Sequence, residues 1–488
     1  MAHPSRRRFL HSLGAGAAAS LVGAPWLHAC GLSGTTAAAA PDATDARPPL
    51  RLAPSLTPAG ITLTAAPGTA DHGSTSAPAW LINGSLPSPT LRIRRGDRFQ
   101  VEMRNQLPQD LILHWHGWSP PALMDGHPRL AVAPGGRYAY DFTVSEQPGT
   151  YWYHSHTHMR TGEQTYRGIA GLLLVSDPAE EALHLPTGTR ELPLILQDRR
   201  LDAAGTPVYS PVGPAMMAGV QGSAPFVNGV HQPFLDAETA LYRLRLLNGA
   251  NARVMRLARS DGEPLVLIGG DGGFLPAPLA LPFIDLAPAE RADVLLDLRG
   301  RRAGDRVMLR SVEFAIPGTM GFMGGMNRQG QALDLLEFRI TRQVNDPAVI
   351  PTRLPAPMLP DAEDAVRERR FRFDSMMMSH TINGRAFEMD RMDVTVPFGE
   401  TELWTFENPS AFPHPVHLHA THFRVLSRTG GRGAVLPWET GAKDTVLLWP
   451  QETVQVVVRF TRERGRFLMH CHNLEHEDMG MMANVEVT

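Results

Sequence analysis

The C-terminal end of the chain reads His470-Cys471-His472-Asn473-Leu474-Glu475-His476-Glu477-Asp478-Met479-Gly480-Met481-Met482. On an extended strand, a residue points to the face opposite its two neighbours. Cys471 is therefore expected to face one site while His470 and His472 face another. The only other cysteine, Cys30, lies in a predicted targeting segment, so Cys471 has no disulfide partner after cleavage. A free thiol in an exported protein needs burial or a metal.

The residues around Cys471 supply a known type of metal site. His414, Cys471, His476 and Met481 provide two imidazoles, a thiolate and a thioether. A His2Cys set with a weak axial Met is the blue-copper arrangement for electron transfer. Zinc is the alternative metal, but a zinc site has little use for the methionine. The set therefore predicts copper.

Histidine pairs spaced two residues apart recur along the chain. Side chains two apart on a strand lie on one face, so each pair offers two imidazoles to one side. One such pair is weak evidence, but four can enclose a polynuclear metal site. The pairs are His114/His116, His154/His156, His417/His419 and His470/His472.

The rest of the sequence favours an all-β chain of several domains. Its 488 residues exceed what one core usually organises, and Gly 45 and Pro 42 separate short apolar runs. Comparable strands are predicted in three successive blocks, at 97–103, 242–247 and 401–406, which suggests three β-sandwiches of one type. The predicted divisions are 1–48, a signal and linker, then 49–180, 181–345 and 346–488.

The N-terminus resembles an export signal. Arg6-Arg7-Arg8 precedes a mildly apolar stretch, as in twin-arginine signals, which predicts a periplasmic or extracellular protein. The stretch is too short to span a bilayer. Leu27-His28-Ala29-Cys30 loosely resembles a lipoprotein box, which leaves a lipid anchor at Cys30 open. The alternative is that Cys30 is removed with the signal.

From about residue 80 to the C-terminus, the chain resembles the multicopper oxidases, a family that includes laccases, bilirubin oxidases and bacterial cuprous oxidases. The resemblance rests on the four histidine clusters and the 470–482 run. It implies three cupredoxin-like Greek-key sandwiches and four coppers per chain: one type 1, one type 2 and two type 3. It assigns the type 2 copper to His114 and His417. It assigns the type 3 pair to His116, His154, His156, His419, His470 and His472.

The resemblance implies a reaction in two places. Four one-electron oxidations at the type 1 copper would supply the reduction of O2 to water at the three-copper cluster. Proton delivery needs a titratable group near the cluster, and the candidates are Asp125 and Glu477. The alternatives are that Asp125 organises a turn and that Glu477 is solvated.

The reductant is left open between Cu(I) and phenolic or aromatic compounds. Thioethers bind Cu(I), and methionines cluster in three places. Phenols fit equally well if a copper-ligating histidine is exposed. The chain lacks a long methionine-rich insertion, so ordinary structural methionine remains the alternative. The clusters are Met216 with Met217, then Met320, Met323 and Met326, and then Met376, Met377 and Met378.

The sequence also bears on other partners and functions. A formal net charge of -3 gives no reason to expect nucleic acid, and the sequence does not indicate an oligomeric state. The competing functions are a copper-sequestering envelope protein of the same fold and a copper nitrite reductase. We expect the remaining histidines at 127, 158, 380 and 422 to be surface groups or groups behind the ligands.

Overall fold

A computed structural model of the protein describes residues 47–317, 328–376 and 379–488. Its strands form six sheets, which pair as three sandwiches in chain order. Three large hydrophobic clusters fill these sandwiches and lie within residues 63–175, 192–340 and 371–487. The predicted all-β class with three cupredoxin-like sandwiches is confirmed.

The first sandwich contains a five-stranded sheet in the order β1-β4-β9-β8-β6 and a four-stranded sheet in the order β3-β2-β5-β7. Two short helices follow its later strands. The strands are β1 Ser55–Leu56, β2 Ala59–Asp71, β3 Ser76–Ile82, β4 Thr90–Arg94, β5 Arg98–Asn105, β6 Leu113–His116, β7 Arg137–Thr143, β8 Gly149–Ser155 and β9 Ala170–Ser176, and the helices are α1 Thr161–Arg167 and α2 Pro178–Glu181.

The second sandwich has sheets in the orders β12-β11-β10-β14-β19-β16-β17 and β13-β21-β20-β15-β18. One short helix, α3 Pro214–Ala218, lies between its first two strands. The strands are β10 Glu191–Arg199, β11 Ala224–Val227, β12 Val230–His231, β13 Phe234–Glu238, β14 Leu241–Asn248, β15 Met255–Arg259, β16 Leu265–Gly270, β17 Gly273–Leu281, β18 Ile284–Leu286, β19 Arg291–Asp297, β20 Arg306–Ser311 and β21 Leu333–Arg342.

The third sandwich has sheets in the orders β23-β22-β25-β29-β27 and β24-β31-β30-β26-β28. Helix α4 Leu474–Asp478 precedes the last strand. The strands are β22 Ala365–Met376, β23 Ser379–Ile382, β24 Val394–Val396, β25 Thr401–Glu407, β26 His414–Leu418, β27 Phe423–Thr429, β28 Thr445–Leu448, β29 Thr453–Arg459, β30 Gly465–Cys471 and β31 Met482–Val487. Short 3-10 turns occur at Ala122–Met124, Pro128–Leu130, Gly188–Arg190, Ala362–Asp364 and Pro437–Glu439.

The three strands predicted from the sequence occupy equivalent places in the three sandwiches. β5, β14 and β25 each pair in parallel with an earlier strand, β2, β10 and β22 respectively. Each also pairs antiparallel with a later strand, β7, β19 and β29. The alternation predicted for β5 is also present, because Phe99, Val101 and Met103 are buried between less buried neighbours. The shared pairing indicates one sandwich topology used three times.

The sheets of the first and third sandwiches that carry histidines position the site. In the first, His114 on β6 lies opposite His154 on β8. In the third, His417 on β26 lies opposite His470 on β30. Each ladder therefore brings two of the four predicted pairs side by side. Among the described residues, no helix is long and apolar enough to cross a membrane.

Candidate metal centre

Cys471 and two histidines converge on one small buried site. The Cys471 Sγ lies 3.4 Å from His414 Nδ1 and 3.6 Å from His476 Nδ1, and the two Nδ1 atoms are 3.2 Å apart. Met481, the fourth predicted member, is also fully buried, and its backbone nitrogen donates to the His476 carbonyl at 2.9 Å. The structure brings three soft or borderline donor atoms within the reach of one ion.

Hydrogen bonds at the outer edges fix both imidazoles. His476 Nε2 donates to the Met217 carbonyl at 2.9 Å, and His414 Nε2 lies 2.9 Å from Ser410 Oγ. Occupied Nε2 atoms leave the Nδ1 lone pairs directed at the sulfur. Burial raises the pKa of the Cys471 thiol, so a thiolate here requires a bound cation. The donor set therefore fits a copper ion.

Eight further histidines form a second cluster between the first and third sandwiches. Their side chains are 0–1% exposed, so solvent does not satisfy their ring nitrogens. The rings of His114 and His419 stack with centroids 3.8 Å apart, and those of His116 and His417 stack at 3.7 Å. The cluster contains His114, His116, His154, His156, His417, His419, His470 and His472.

Several ring nitrogens in this cluster have no hydrogen-bond partner among the described residues. A buried polar atom without a partner is costly, and a group of them converging in one place points to metal ions. The Nε2 atoms of His156 and His419 lie 3.3 and 3.2 Å from His470 Nε2. The unpaired atoms are His114 Nε2, His116 Nδ1, His154 Nε2, His417 Nε2 and both ring nitrogens of His472.

Cys471 and its two histidine neighbours point into different sites, as predicted. His470 lies in the eight-histidine cluster, while the sulfur lies with His414 and His476. The two sites are therefore joined by the backbone bonds of three consecutive residues.

The two predicted carboxylates lie directly behind cluster histidines. Asp125 Oδ2 accepts a hydrogen bond from His419 Nδ1 at 2.7 Å, and its carbonyl accepts from His114 Nδ1 at 2.7 Å. Glu477 Oε2 lies 3.1 Å from His470 Nδ1, and Oε1 lies 3.5 Å from His156 Nδ1. Both carboxylates therefore orient rings through the nitrogen that faces away from the cluster.

The two carboxylates differ in their protonation. Burial raises the pKa of Asp125 to about 6, although His114 and His156 act in the opposite direction. Burial also acts to raise the pKa of Glu477, but the facing His470 and His156 outweigh it and leave the pKa below its ordinary value. Asp125 can therefore gain and lose a proton near neutral pH, whereas Glu477 stays ionised.

Sequence reasoning missed a third carboxylate, Asp444. Its Oδ1 lies 3.2 Å from His116 Nε2, and its carbonyl accepts from His417 Nδ1 at 2.9 Å. Arg291, from the second sandwich, donates to both carboxylate oxygens, with Nη1 at 2.8 Å from Oδ1. Burial acts to raise the pKa of Asp444, but Arg291 holds the net pKa below its ordinary value. Asp444 is not part of a regular spacing like that of the histidine pairs, so no sequence pattern pointed to its place beside the cluster.

Of the four further histidines considered in the sequence, His127 and His380 are buried, and His158 and His422 are partly buried. His127 and His380 are fully buried, so the surface interpretation is wrong for these two. His380 stacks on His476 with centroids 4.1 Å apart and bonds the Met216 carbonyl at 3.0 Å. His422 lies 3.6 Å from Asp444, and His158 packs against a phenylalanine. His380 and His422 therefore stand behind the predicted ligands and their partners.

The condition stated for phenols, an exposed copper-ligating histidine, is not met by the two histidines of the Cys471 site. His414 and His476 are both 0% exposed. The α3 segment covers His476, because the Met217 carbonyl accepts its Nε2 proton. Met216 and Met217 thus lie beside the site, while Met320, Met323, Met326, Met377 and Met378 lie outside the described residues. Met376 is exposed.

A cavity of about 390 Å3 lies next to this cover. Met159, Met216 and Met479 line it with Tyr209, Glu475 and Asp478. Glu475 immediately precedes His476, and Met216 immediately precedes the residue that accepts its proton. A small molecule in this cavity is thus one hydrogen bond and a few covalent bonds from the Cys471 site.

The three cupredoxin-like sandwiches thus hold a buried His2Cys site beside an eight-histidine cluster, and the donor atoms of both fit copper. Two sequence profiles described as "Multicopper oxidase" match residues 65–180 and 352–488. The chain belongs to the multicopper oxidase family. It is a copper-dependent oxidoreductase that uses oxygen as acceptor.

Individual relatives cover most of the chain. It is 31% identical over 416 residues to "Multicopper oxidase mco" of Staphylococcus haemolyticus, across 83% of each chain. It is 32% identical to "Cell division protein FtsP" of Escherichia coli, across 85% of this chain and 86% of that one. The crystal structure of the McoA multicopper oxidase from Aquifex aeolicus matches with a TM-score of 0.82 and 32% identity, across 91% of this chain and 99% of that one.

Proposed function

We propose that the protein couples four one-electron oxidations of a small reductant to the reduction of O2 to two waters. The observation that carries this proposal is the placement of Cys471 and its two histidine neighbours in adjoining sites. In the proposed assignment His414, Cys471, His476 and Met481 hold the type 1 copper. The unpaired Nε2 atoms of His114 and His417 support the type 2 assignment, and the other six histidines would hold the type 3 pair.

When bound, the four coppers would supply the electron acceptor and the site of O2 reduction. The chain's own residues would link the two sites, orient the ligands and supply protons. The backbone of β30 links the two sites, Glu477 and Asp444 hold cluster rings in place, and Asp125 exchanges protons because its pKa lies near 6. Asp125 is therefore the better proton donor of the two carboxylates predicted, and Glu477 is the better orienting group.

Copper analysis and spectroscopy test this assignment directly. The native protein should bind four coppers, with an intense blue thiolate band and a near-ultraviolet shoulder from the coupled pair. Cys471→Ser should lose the blue band and oxygen uptake while keeping about three coppers. A colourless native protein after full copper loading, or unchanged oxygen uptake by Cys471→Ser, would contradict it.

The reductant is proposed to dock in the methionine-lined cavity over α3. Three thioethers beside ionisable carboxylates favour Cu(I), while the cavity volume also admits a phenol. Replacing Met159, Met216 and Met479 together with Leu keeps the apolar lining but removes the sulfurs. If Cu(I) is the reductant, its rate should fall at least tenfold with the methoxyphenol rate kept. Leu at the fully exposed Met358 is the matched control. Equal losses with both reductants would count against Cu(I).

The relative named for cell division shows that this fold does not by itself fix an activity. A copper-sequestering protein would bind copper without consuming oxygen with any one-electron donor. A copper nitrite reductase lacks a type 3 pair, and the eight-histidine cluster speaks against it. We further propose the domain limits 49–180, 181–345 and 346–488. The twin-arginine signal, the periplasmic or extracellular location and a lipid anchor at Cys30 stay predictions, because residues 1–46 lie outside the described residues.

A further inference from the structure

Arg199, the last residue of β10, is buried and has no carboxylate partner among the residues that the structure describes. It is 6% exposed, and its Nη1 has no hydrogen-bond partner among the described residues. The other buried arginines of the described chain each form an ion pair with Asp or Glu. They are Arg243, Arg245, Arg253, Arg259, Arg291 and Arg428. Among the described residues, Arg199 is thus the one buried arginine without an ion pair.

The surroundings of Arg199 compensate its charge only in part. Its guanidinium carbon lies 4.1 Å from the centre of the Tyr166 ring, which gives a cation–π contact. A ring face does not accept the in-plane N–H bonds of a guanidinium. Burial accordingly lowers the pKa of Arg199. An unpaired buried cation is costly, so the site is short of one negative charge and one acceptor.

A cavity of about 170 Å3 adjoins this side chain. That volume exceeds the roughly 30 Å3 share of one water molecule several times. The lining includes two arginines and a histidine but no Asp or Glu. The lining residues are His72, Pro78, Ala79, Leu86, Tyr166, Arg167, Arg199, Pro207, Val208, Tyr209, Phe226 and Gly229. Arg167 pairs with Glu163 at 2.9 Å, so the uncompensated charge belongs to Arg199.

His72 completes the cavity with a defined tautomer. Its Nδ1 lies 2.7 Å from the Gly229 carbonyl, to which it must donate. A neutral His72 therefore keeps a lone pair on Nε2. A ligand that accepts from Arg199 and donates to His72 would satisfy both groups.

We propose that this cavity, between the first and second sandwiches, binds a phosphate-type oxyanion. The fork of Arg199 would give charge-assisted hydrogen bonds to the phosphate oxygens, which guanidinium geometry suits. Near neutral pH, phosphate and phosphate monoesters keep a P–OH group in part of the population, and that group can donate to His72 Nε2. The cavity shares Tyr209 with the methionine-lined cavity but contains none of the proposed copper ligands.

Calorimetric titration of the copper-loaded protein with inorganic phosphate, at constant ionic strength, tests the site. Wild type should show saturable binding, and Arg199→Met should weaken it at least about tenfold, the loss expected for a hydrogen bond to a charged group. Arg98→Met is the matched control, because Arg98 is 66% exposed and pairs with Asp141 on the surface. Phosphate bound at copper or acting as a general salt would affect all three proteins equally.

Folding is checked on the same variants without phosphate. Arg199→Met should melt at or above the temperature of wild type, because methionine fills similar space without the unpaired charge. Arg199→Lys serves as a second variant that keeps the charge but loses the fork, and its affinity should fall between the other two. A parallel titration with glycerol 1-phosphate identifies the source, since tighter binding of the ester indicates an organic phosphate. Absence of saturable binding in wild type, or wild-type affinity in Arg199→Met, overturns the proposal.

Discussion

Arg291 belongs to the second sandwich, which contributes no proposed ligand. Replacing Arg291 with methionine should nevertheless disturb the eight-histidine cluster. Arg291 and Asp444 are both 0% exposed in their side chains. The guanidinium also donates to the carbonyls of Thr150, Ala289 and Asp271 at 2.9–3.2 Å. Removing one partner of a buried ion pair costs about 3–5 kcal/mol, because the other charge remains buried. Asp444 would then lose the group that fixes it behind His116 and behind the proposed type 2 ligand His417, whose Nδ1 lies 2.9 Å from the Asp444 carbonyl and 3.6 Å from Oδ1.

The loss of local stability in Arg291→Met is best measured by hydrogen exchange. A chain of three sandwiches need not unfold in one step, so a single unfolding free energy is not well defined. In copper-free protein, exchange in peptides covering 289–292 and 441–448 should accelerate between about a hundredfold and a few thousandfold. Adding Asp444→Asn should recover most of the loss, since it removes the stranded charge. Breaking the exposed Arg98–Asp141 pair with Arg98→Met should change local exchange by at most about fivefold.

Copper affinity and the type 2 signal provide a second test of Arg291→Met that does not depend on stability. Partners that orient metal ligands are typically worth 10–100-fold in metal affinity. Arg291→Met should therefore weaken one copper by about that factor and alter the type 2 signal in electron paramagnetic resonance, while the blue band persists. Arg291→Lys should restore part of both effects. Wild-type exchange in the two peptides together with an unchanged type 2 signal would refute the reasoning.

Three further predictions concern single residues around the cluster. Asp125→Asn should keep the copper content and blue colour but slow oxygen reduction about a hundredfold or more, measured by oxygen uptake; unchanged turnover would remove its proton role. His127 is neutral in the fold, with its pKa lowered to about 3 by burial, so the local opening free energy around it should fall by about 2 kcal/mol between pH 6.5 and 5, because the opened chain binds the proton there. His127→Gln should remove that part of the acid loss in hydrogen exchange of peptides covering 125–132, corrected for intrinsic exchange, and identical pH slopes would contradict it. Gly117→Ala places a Cβ 2.7 Å from Asp444 and 2.8 Å from Arg291 at a φ of +87°, so it should reproduce the type 2 defect of Arg291→Met; a normal type 2 signal would exclude that clash.

The features that the sequence predicted share a local origin. The alternation of β5 and the opposite orientation of Cys471 and its neighbours follow from the two-residue period of a strand. That period also places each histidine pair on one face, so the membership of the cluster needed no knowledge of the fold. The predicted strands were correct for the same reason, because each alternates apolar with polar residues over most of its length.

The contacts that could not be predicted from the sequence join residues that lie far apart in the chain. Asp444 and Arg291 are separated by 153 positions, and no spacing rule connects them. The cover over His476 likewise depends on Met217, 259 positions earlier. Exposure of the ligating histidine could not be judged from the 470–482 run, because the segment that buries it belongs to another sandwich.

The second sandwich therefore supports both metal sites, although it contributes no proposed ligand. On the cluster side it supplies Arg291 to hold Asp444. On the Cys471 side it supplies the Met217 carbonyl for His476, and Asn251 Nδ2 and the Val220 nitrogen bond Glu475 at 2.7 and 2.8 Å. These contacts hold α4, and with it His476, against β30. Since both sites depend on contacts from this sandwich, its displacement should alter the geometry of the two sites together, even though every proposed ligand stays in place in the sequence.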